Sequence, residues 1–547
     1  MHIEFEHKLP AMNIDGRHNG SYNNEELSFP GVLTTLDTRL GNFMDMLRKV
    51  MWDDRRLVFI DGKILMCSKN WIRDHVHEMK SFIHWEYNFD SFLNFIIDTQ
   101  RKDGQFYELI KQYDDYHWKM VDESCRVMYD DDNLTLVRLE LEADIEYLVV
   151  EGAMYNYRVN GDLEWIKKVL PKLEKGIDYI TSDPKRWDKA HGLVKRPFTI
   201  DTWDFCYYPE TQRTSNDRRI SEDTPMSIMH GDNTGVYQAM QQLAFFNRKL
   251  GKDEKASCWE ARAEALKANI FRYLYNGTFF IHQLHLNHSG IDDKENERLS
   301  LSNSYALNRD FFTDEQAQKV IDEYIRRRDG HTFAEWFSID PPYPCQFGAH
   351  PTGTYVNGSI CPFAAGELAK AAFRVGRAKY GWDIINRFIE MTERDGSIYF
   401  LYSPTDAVPT NELGPSAWGA SALLSAIDEG LAGIVNTDCC YREMRFAPCF
   451  PVTPYHELRY LTGYEKTQTT VDVRYILKPE GMRYDVYSPA GSVAAHILLP
   501  EDKTAKQVFV NEGEIPFAMV TVGEDRFVDF SAAGNGKLAI EILFDDH

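Results

Sequence analysis

The spacing of apolar residues along the chain changes once, and that change organises everything else. From Gly161 to Ile180 apolar side chains fall at Leu163, Ile166, Leu170, Leu173, Ile177 and Ile180. Steps of three or four trace one face of a helix, and Pro171 within that face predicts a break or kink. A second pair follows. Asp232 or Asn233 caps a helix running to Leu250, Gly251 ends it, and Lys252-Asp253-Glu254 opens another that reaches about Tyr275. Asn276-Gly277 then turns the chain into a strand over Thr278 to His285. Further helical stretches are predicted over 75–98, 134–158, 314–328, 358–375, 378–393 and 415–430. Short connections make neighbours antiparallel, so residues from about 33 to 435 read as helical hairpins arranged in a toroid, with long loops at one end forming a pocket. After about 437 the period drops to two, in Val471–Ile476, Ala494–Leu499, Val508–Val510 and Leu538–Leu543. Turn signals lie between them at Pro479-Glu-Gly481, Pro489-Ala-Gly491 and Gly534-Asn-Gly536, which predicts a small C-terminal antiparallel β-sandwich. The expected division is an extended segment over 1–32 packing on the toroid, the helical domain over 33–436 and the β domain over 437–547.

Bulk properties change this picture little. At 547 residues and 43% hydrophobic content the chain can bury a sizeable core. A formal charge of −23 opposes a polyphosphate partner, so no nucleic-acid partner is expected. The start, Met-His-Ile-Glu-Phe-Glu-His-Lys, has neither a basic nor an apolar region, and no window reaches the length of a membrane span. The nine cysteines form no framework, which fits reduced thiols in a cytoplasmic protein. Cys439, Cys440, Cys449 and His456 are too irregularly spaced for a zinc site, and Asp130-Asp131-Asp132 reads as a solvated loop before a calcium site. No metal and no cofactor is expected.

Candidate chemistry gathers at helix entrances. Asp204 stands between Trp203 and Phe205 in the loop that begins Arg196-Pro-Phe-Thr-Ile-Asp201. Aromatic shielding raises a carboxyl's pKa, as a general acid requires. Trp71-Ile-Arg73-Asp74-His75 leads into a helix, as does His230-Gly-Asp232-Asn233. Phe333-Ala-Glu335-Trp336-Phe337 precedes Tyr355-Val-Asn357-Gly358, and Asn411-Glu412 precedes Trp418-Gly419 at the last long helix. His75 and His77, two apart on a helix, point to different sides, which argues against a metal pair. Asp201 reads as a capping or supporting residue, and Arg73 with Asp74 as either sugar ligands or an ion pair pinning the helix start.

These segments resemble the (α/α)6-barrel, six-hairpin glycoside hydrolases. Trp71 to Asp74 is similar to the WxRD segment of glucoamylase-like enzymes. Trp203-Asp204-Phe205 looks like the WDF segment of trehalases and of the family 63 processing α-glucosidases, where that Asp is the general acid. Tyr155 to Asp162 resembles a helix junction shared across the superfamily, and Glu412 with Trp418-Gly419 resembles the late segment that carries the base. The β tail is similar to the C-terminal domains of bacterial α-L-rhamnosidases. The chain departs from trehalases in having Asp201-Thr202 where they have Ser-Gly, and in lacking their Gly-rich run beside the base.

What the resemblance implies is an inverting hydrolase of a small α-linked glycoside, with Asp204 as acid and Glu412 as base, Glu335 being the alternative base. Trp71, Arg73, Asp74, Asp201, Trp203, Asp232, Trp336, Tyr355, Asn357 and Trp418 are the expected substrate-binding residues. The competing expectations are an α-L-rhamnosidase-like hydrolase, a non-hydrolytic toroid enzyme (epimerase, phosphorylase or lyase) and a sugar-binding protein without catalysis. The expected partner is a small carbohydrate, with no membrane.

Overall fold

The computed structural model describes residues 32–34, 39–112, 123–200, 219–331, 333–344, 350–410, 413–534 and 536–545. Among these, the helices are α1 (Arg39–Asp53), α2 (Ile72–Phe82), α3 (Ser91–Asp98), α4 (Ile145–Asn160), α5 (Leu163–Ile180), α6 (His230–Lys249), α7 (Asp253–Leu274), α8 (Ser302–Leu307), α9 (Asp314–Arg328), α10 (Pro362–Arg374), α11 (Ala378–Asp395) and α12 (Ala417–Ser425), the last continued by a π turn over Ala426–Leu431. The even-numbered helices α2, α4, α6, α8, α10 and α12 each pack on the next, and α12 packs back on α2, which closes a ring. The other helices lie outside it.

The burial pattern explains which helix goes where. In α5 the stripe Ile166, Leu170, Leu173, Ile177 and Ile180 is buried while Glu164, Lys167 and Lys168 face water. A one-sided stripe places a helix on the rim. In α4, 14 of 16 residues are buried, the pattern of a helix with neighbours all round. The ring is tightest between α10 and α12, both rich in alanine. A Cβ on Gly366 would stand 2.5 Å from the Ala422 backbone, so only glycine permits that approach.

The C-terminal residues form two sheets. One runs β1 (Val32–Thr34), β4 (Glu457–Tyr464), β5 (Thr469–Lys478), β6 (Gly481–Tyr487), β12 (Lys537–Phe544), β8 (Ala505–Val510) and β9 (Gly513–Glu514). The other runs β2 (Ile434–Asn436), β3 (Glu443–Phe446), β7 (Ser492–Leu498), β11 (Asp525–Ala533) and β10 (Ala518–Val522). Aromatic rings fill the space between them: Phe446 meets Tyr484 at 5.5 Å and Tyr475 meets Tyr484 at 5.0 Å. The β module is tied to the base of the ring. Tyr460 donates to Asp428 at 3.0 Å, Asn436 donates to the Arg158 carbonyl at 3.0 Å and the Ala378 amide donates to Asp525 at 2.7 Å. At Gly376 (φ +78°) a Cβ would lie 1.8 Å from the Val522 carbonyl oxygen, so glycine is required where the α10–α11 turn meets the sheet.

Several expectations need correction. The stretch 75–98 is two helices, α2 and α3, and 134–158 begins with a strand, Leu134–Val137, before α4. That strand is buried throughout because it is the middle one of three, paired with Leu109–Gln112 and Arg126–Tyr129. Pro171 does not end α5; it lies on the exposed face of a helix that continues to Ile180. The strand expected over 278–285 is confined to Gln283–His285. Helix α6 starts at His230 after Met229, with no side-chain cap from Asp232 or Asn233. The β module is not wholly antiparallel, since β3 and β7 run parallel. Val32–Thr34 joins the β sheet rather than the ring, and residues 1–31 lie outside the described part.

Candidate active site

The entrance residues of the inner helices converge. Arg73 and His77 on α2, Asp144 and Tyr147 at the start of α4, Gly231 on α6, Ser302 and Tyr305 on α8, and Trp418 on α12 line one narrow cleft at the end of the ring where these helices begin. One wall is aromatic. His77 stacks on Trp418 at 4.4 Å and Trp418 stacks on Phe363 at 4.8 Å, while the Trp418 indole N–H donates to the Tyr305 hydroxyl at 2.8 Å. Burial and the charges of Lys80, Arg309 and Arg73 hold the His77 imidazole well below its usual pKa, so it is neutral. The ring normals differ by 13° for His77 and Trp418, so each ring covers a face of the other.

Beside these rings, one turn back along α2, the lining is ionic. Arg73 donates from Nη2 to Asp144 Oδ1 at 2.8 Å, from Nε to Asp144 Oδ2, and to Glu142. Glu142 also accepts from Arg196 at 3.4 Å, and Arg196 stands 3.6 Å from Asp232. Behind them Arg138 bonds Glu108 at 3.0 Å and Glu146 at 3.1 Å. Arg73, Arg138 and Arg196 thus face five carboxyls, all buried, and Arg186 adds attraction only at longer range. More acids than bases in a dry place means that some acids keep their protons. Burial pushes Asp232 up to about 7 against the pull of Arg196, and pushes Glu108 up to about 8 against that of Arg138. Asp144 goes the other way: despite its burial, the Arg73 guanidinium holds its carboxyl below the usual range.

Asp232 carries a pH prediction. Its folded pKa lies above its ordinary value, so between about pH 4 and 7 the folded state holds the extra proton and stability falls as pH rises. Asn at this site removes that slope. Urea unfolding at pH 4 and pH 8 is expected to show Asp232→Asn gaining on the wild type by roughly 4 kcal/mol across the interval. An unchanging difference would show that Asp232 does not titrate there.

Of the residues expected from sequence, Arg73 and Trp418 line the cleft, and Asp232 follows Gly231 behind it. Asp74 sits half-buried on the first turn of α2, its carboxyl raised by burial against the charge of Lys69. Asp201, Trp203, Asp204 and Glu412 lie outside the described residues. The others serve the scaffold. Trp71 packs on the satellite cluster of Leu109, Cys125, Val137 and Leu139. Trp336 is fully buried, stacked on Phe388 at 5.0 Å with the Arg387 guanidinium 4.2 Å above it. Glu335 accepts from Arg387 through both oxygens at 2.9 Å and from Tyr380, which ties it to the outer helix α11. Asn357 accepts from the Tyr343 amide at 2.8 Å and donates to the His350 carbonyl, bracing its own loop, and the Tyr355 ring meets His350 at 4.4 Å, tilted by 37°. A flanking aromatic ring suits a scaffold carboxylate as well as a catalytic one, so the sequence pattern alone does not separate the two. His75 and His77 do point to different sides, His75 bonding the Ser68 amide and the Phe89 carbonyl. Tyr305, Arg309, Glu142 and Asp144 were missed. The one signal for the last two was the run Glu140-Leu-Glu142-Ala-Asp144 ahead of an apolar helix.

A closed ring of helices with a polar–aromatic cleft at its entrance end, backed by a two-sheet β module, is a fold found in glycoside hydrolases. The trehalase family model matches residues 199–334 of this chain. Among solved structures, the α-L-rhamnosidase from Dictyoglumus thermophilum aligns with TM-score 0.58 at 10% identity, over 94% of this chain and 50% of its own. An α-L-rhamnosidase from Streptomyces avermitilis, complexed with L-rhamnose, gives 0.53 at 13% identity, over 94% of this chain and 42% of its own. A structure described as a sialidase gives 0.59 at 12% identity, over 91% and 41%. This chain therefore spans half or less of the length of each, and at these identities the likeness is one of fold. No curated protein sequence matches it. Among the described residues no helix is long and apolar enough to cross a membrane.

Proposed function

We propose that the protein is a glycoside hydrolase, built as an (α/α)6 barrel with a C-terminal β-sandwich that also takes in Val32–Thr34 and Ile434–Asn436, acting on a small α-linked glycoside. The match of residues 199–334 to the trehalase model carries this reading. At the ring entrance His77, Tyr305 and Trp418 adjoin the Arg73–Asp144 pair, which brings aromatic and hydrogen-bonding groups, the two kinds that a sugar's C–H face and hydroxyls require, around about 10 Å³ of space among the described residues. Asp204 lies within the stretch matched by the trehalase model, and Glu412 stands six residues before Trp418 of the cleft. In this proposal Asp204 protonates the glycosidic oxygen. Glu412 takes a proton from water attacking the opposite face, which requires carboxyls roughly 6.5–9.5 Å apart and inverts the anomeric centre. Trp203 adds to the stacking surface and Asp201 orients the acid.

A second reading, an α-L-rhamnosidase-like hydrolase, draws support from the two rhamnosidases among the structural neighbours and from the β module they align with. Incubation with aryl α-glucosides, aryl α-L-rhamnosides and α-linked disaccharides, with the first-formed anomer followed by proton NMR, separates the two. The expected outcome is hydrolysis of an α-glucoside or α-linked disaccharide with inversion, at a rate independent of phosphate. Turnover of the rhamnoside alone replaces the first reading with the second. A sugar phosphate as product, or no turnover of any of them, removes both.

A further inference from the structure

The other end of the ring holds a chamber that the proposed reaction does not use. A cavity of about 160 Å³ lies where the inner helices end, closed below by Val435 and Arg445 of the five-stranded sheet. Tyr305 and Arg309 line both this chamber and the entrance cleft and so form the partition between them. One water needs about 10–15 Å³, so the space admits a small molecule.

Its lining is charged and unbalanced. Six cationic side chains, Lys80, Arg158, Arg309, Lys370, Arg374 and Arg445, face four anionic ones, Glu151, Asp310, Glu367 and Glu429. Two positive formal charges are left over, in a chain whose net charge is −23. Most of the cations are engaged. Lys80 bonds Glu367, Lys370 bonds Glu429, Arg309 donates to the Gly231 carbonyl at 2.9 Å, and Arg374 donates to the Leu307 carbonyl at 2.7 Å. Arg158 and Arg445 are not. Among the described residues neither guanidinium makes a hydrogen bond or an ion pair within 4.0 Å, and Arg445 Nε is buried without a partner. Arg158 feels Glu429 and Glu151 only at longer range. Burial and the nearby Arg445 charge also draw Arg374 below the usual guanidinium range, although Asp310 and Asp314 oppose this. Both side chains are partly buried, and the carbonyls at the end of α4 favour the Arg158 charge by only about 0.3–1 kcal/mol. What these side chains lack is an anion with several acceptor oxygens, the group that guanidinium forks bind best.

A route in exists. Arg374, Glu429 and Arg445 also line a groove of about 330 Å³ between the ring and the five-stranded sheet, bordered by His496 and Asp529. We propose that the chamber binds a tetrahedral oxyanion, free phosphate or a small phosphomonoester, held by Arg158 and Arg445. This proposal is independent of the glycosidase reading, since neither guanidinium lines the entrance cleft.

The test titrates the full chain with inorganic phosphate, glycerol phosphate and, at matched ionic strength, sodium chloride, reading thermal unfolding and phosphorus-31 line broadening. Saturable stabilisation beyond that in chloride is expected. A response to inorganic phosphate identifies the free ion as sufficient, and a response to glycerol phosphate alone identifies the ester. Arg158→Gln and Arg445→Gln are each expected to weaken binding by about tenfold or more, and Arg445→Lys to recover part of the loss. The line broadening needs no variant, so the proposal stays testable if a substitution unfolds the chain. Equal behaviour in phosphate and chloride, or binding undiminished in both Gln variants, would overturn it.

Discussion

Asp204→Asn is expected to leave the fold standing and to lower glycoside turnover by about 10²–10⁴-fold, the contribution typical of a positioned general acid. Asn is nearly isosteric with Asp but has no proton to give at neutral pH. The deficit should depend on the leaving group. Aryl glycosides with acidic phenols depart with little protonic help and should lose least, whereas alkyl glycosides and disaccharides should lose most. That gradient distinguishes a lost acid from a misplaced loop, which would slow all substrates alike. Unfolding curves that overlay those of the wild type complete the measurement. Near-normal turnover of a disaccharide by the variant removes Asp204 from the role.

Arg73→Ala is expected to have the largest effect on stability of any single change at the entrance. The guanidinium is 4% exposed and bonds Asp144 and Glu142, which are 2% and 0% exposed. Its removal leaves two buried carboxyls short of their main counter-charge, and breaking a buried pair from one side costs about 3–5 kcal/mol. That is a large part of the roughly 5–15 kcal/mol by which domains are stable. Arg73→Lys keeps the charge but loses the fork, and should fall between. The pH profile adds a signature. Asp144 is held below its usual range by Arg73, so its contribution is present above the ordinary carboxylate pKa and fades as pH drops through the lower, folded value. The alanine variant should lose that acid-side dependence. A urea midpoint unchanged from wild type would show the pair to be energetically idle.

How far the sequence could be read follows from which forces set each element. Outer helices such as α5, α7 and α9 are half in water, so their stripes show the 3.6-residue period and their limits were legible, α9 as 314–328. Helix α4 is buried on every side and loses that period, so it merged with the preceding strand. Helix α8 spans six residues, too few for a period at all. In the β module the strands with one wet face, β5, β7, β8 and β12, were legible, while β4 and β6 and the parallel β3–β7 pairing depend on partners distant in sequence. The entrance cleft was half legible. Motif likeness located Arg73 and Trp418, but which way Trp336, Glu335 and Asn357 point is decided by outer helix α11 and the Tyr343 loop, not by their own neighbours in sequence. The ionic wall joins Arg73 to Asp144 across 71 positions, and no local pattern announces such a pair.

The pairing of β1 with β4, together with the closure of α12 on α2, has a consequence for biosynthesis. A ribosome releases the amino-terminal half of the circle long before the segments that complete it. Until α12 (Ala417–Ser425) emerges, the nascent chain is an open arc with the alanine-rich seam of α10 unfilled, and the first strand waits further for β4 (Glu457–Tyr464). Such an arc shows greasy flanks to whatever surrounds it, so the interval of greatest aggregation risk lasts until those segments are made. Slowing elongation late in the message would lengthen that exposure, whereas a pause early on would cost little.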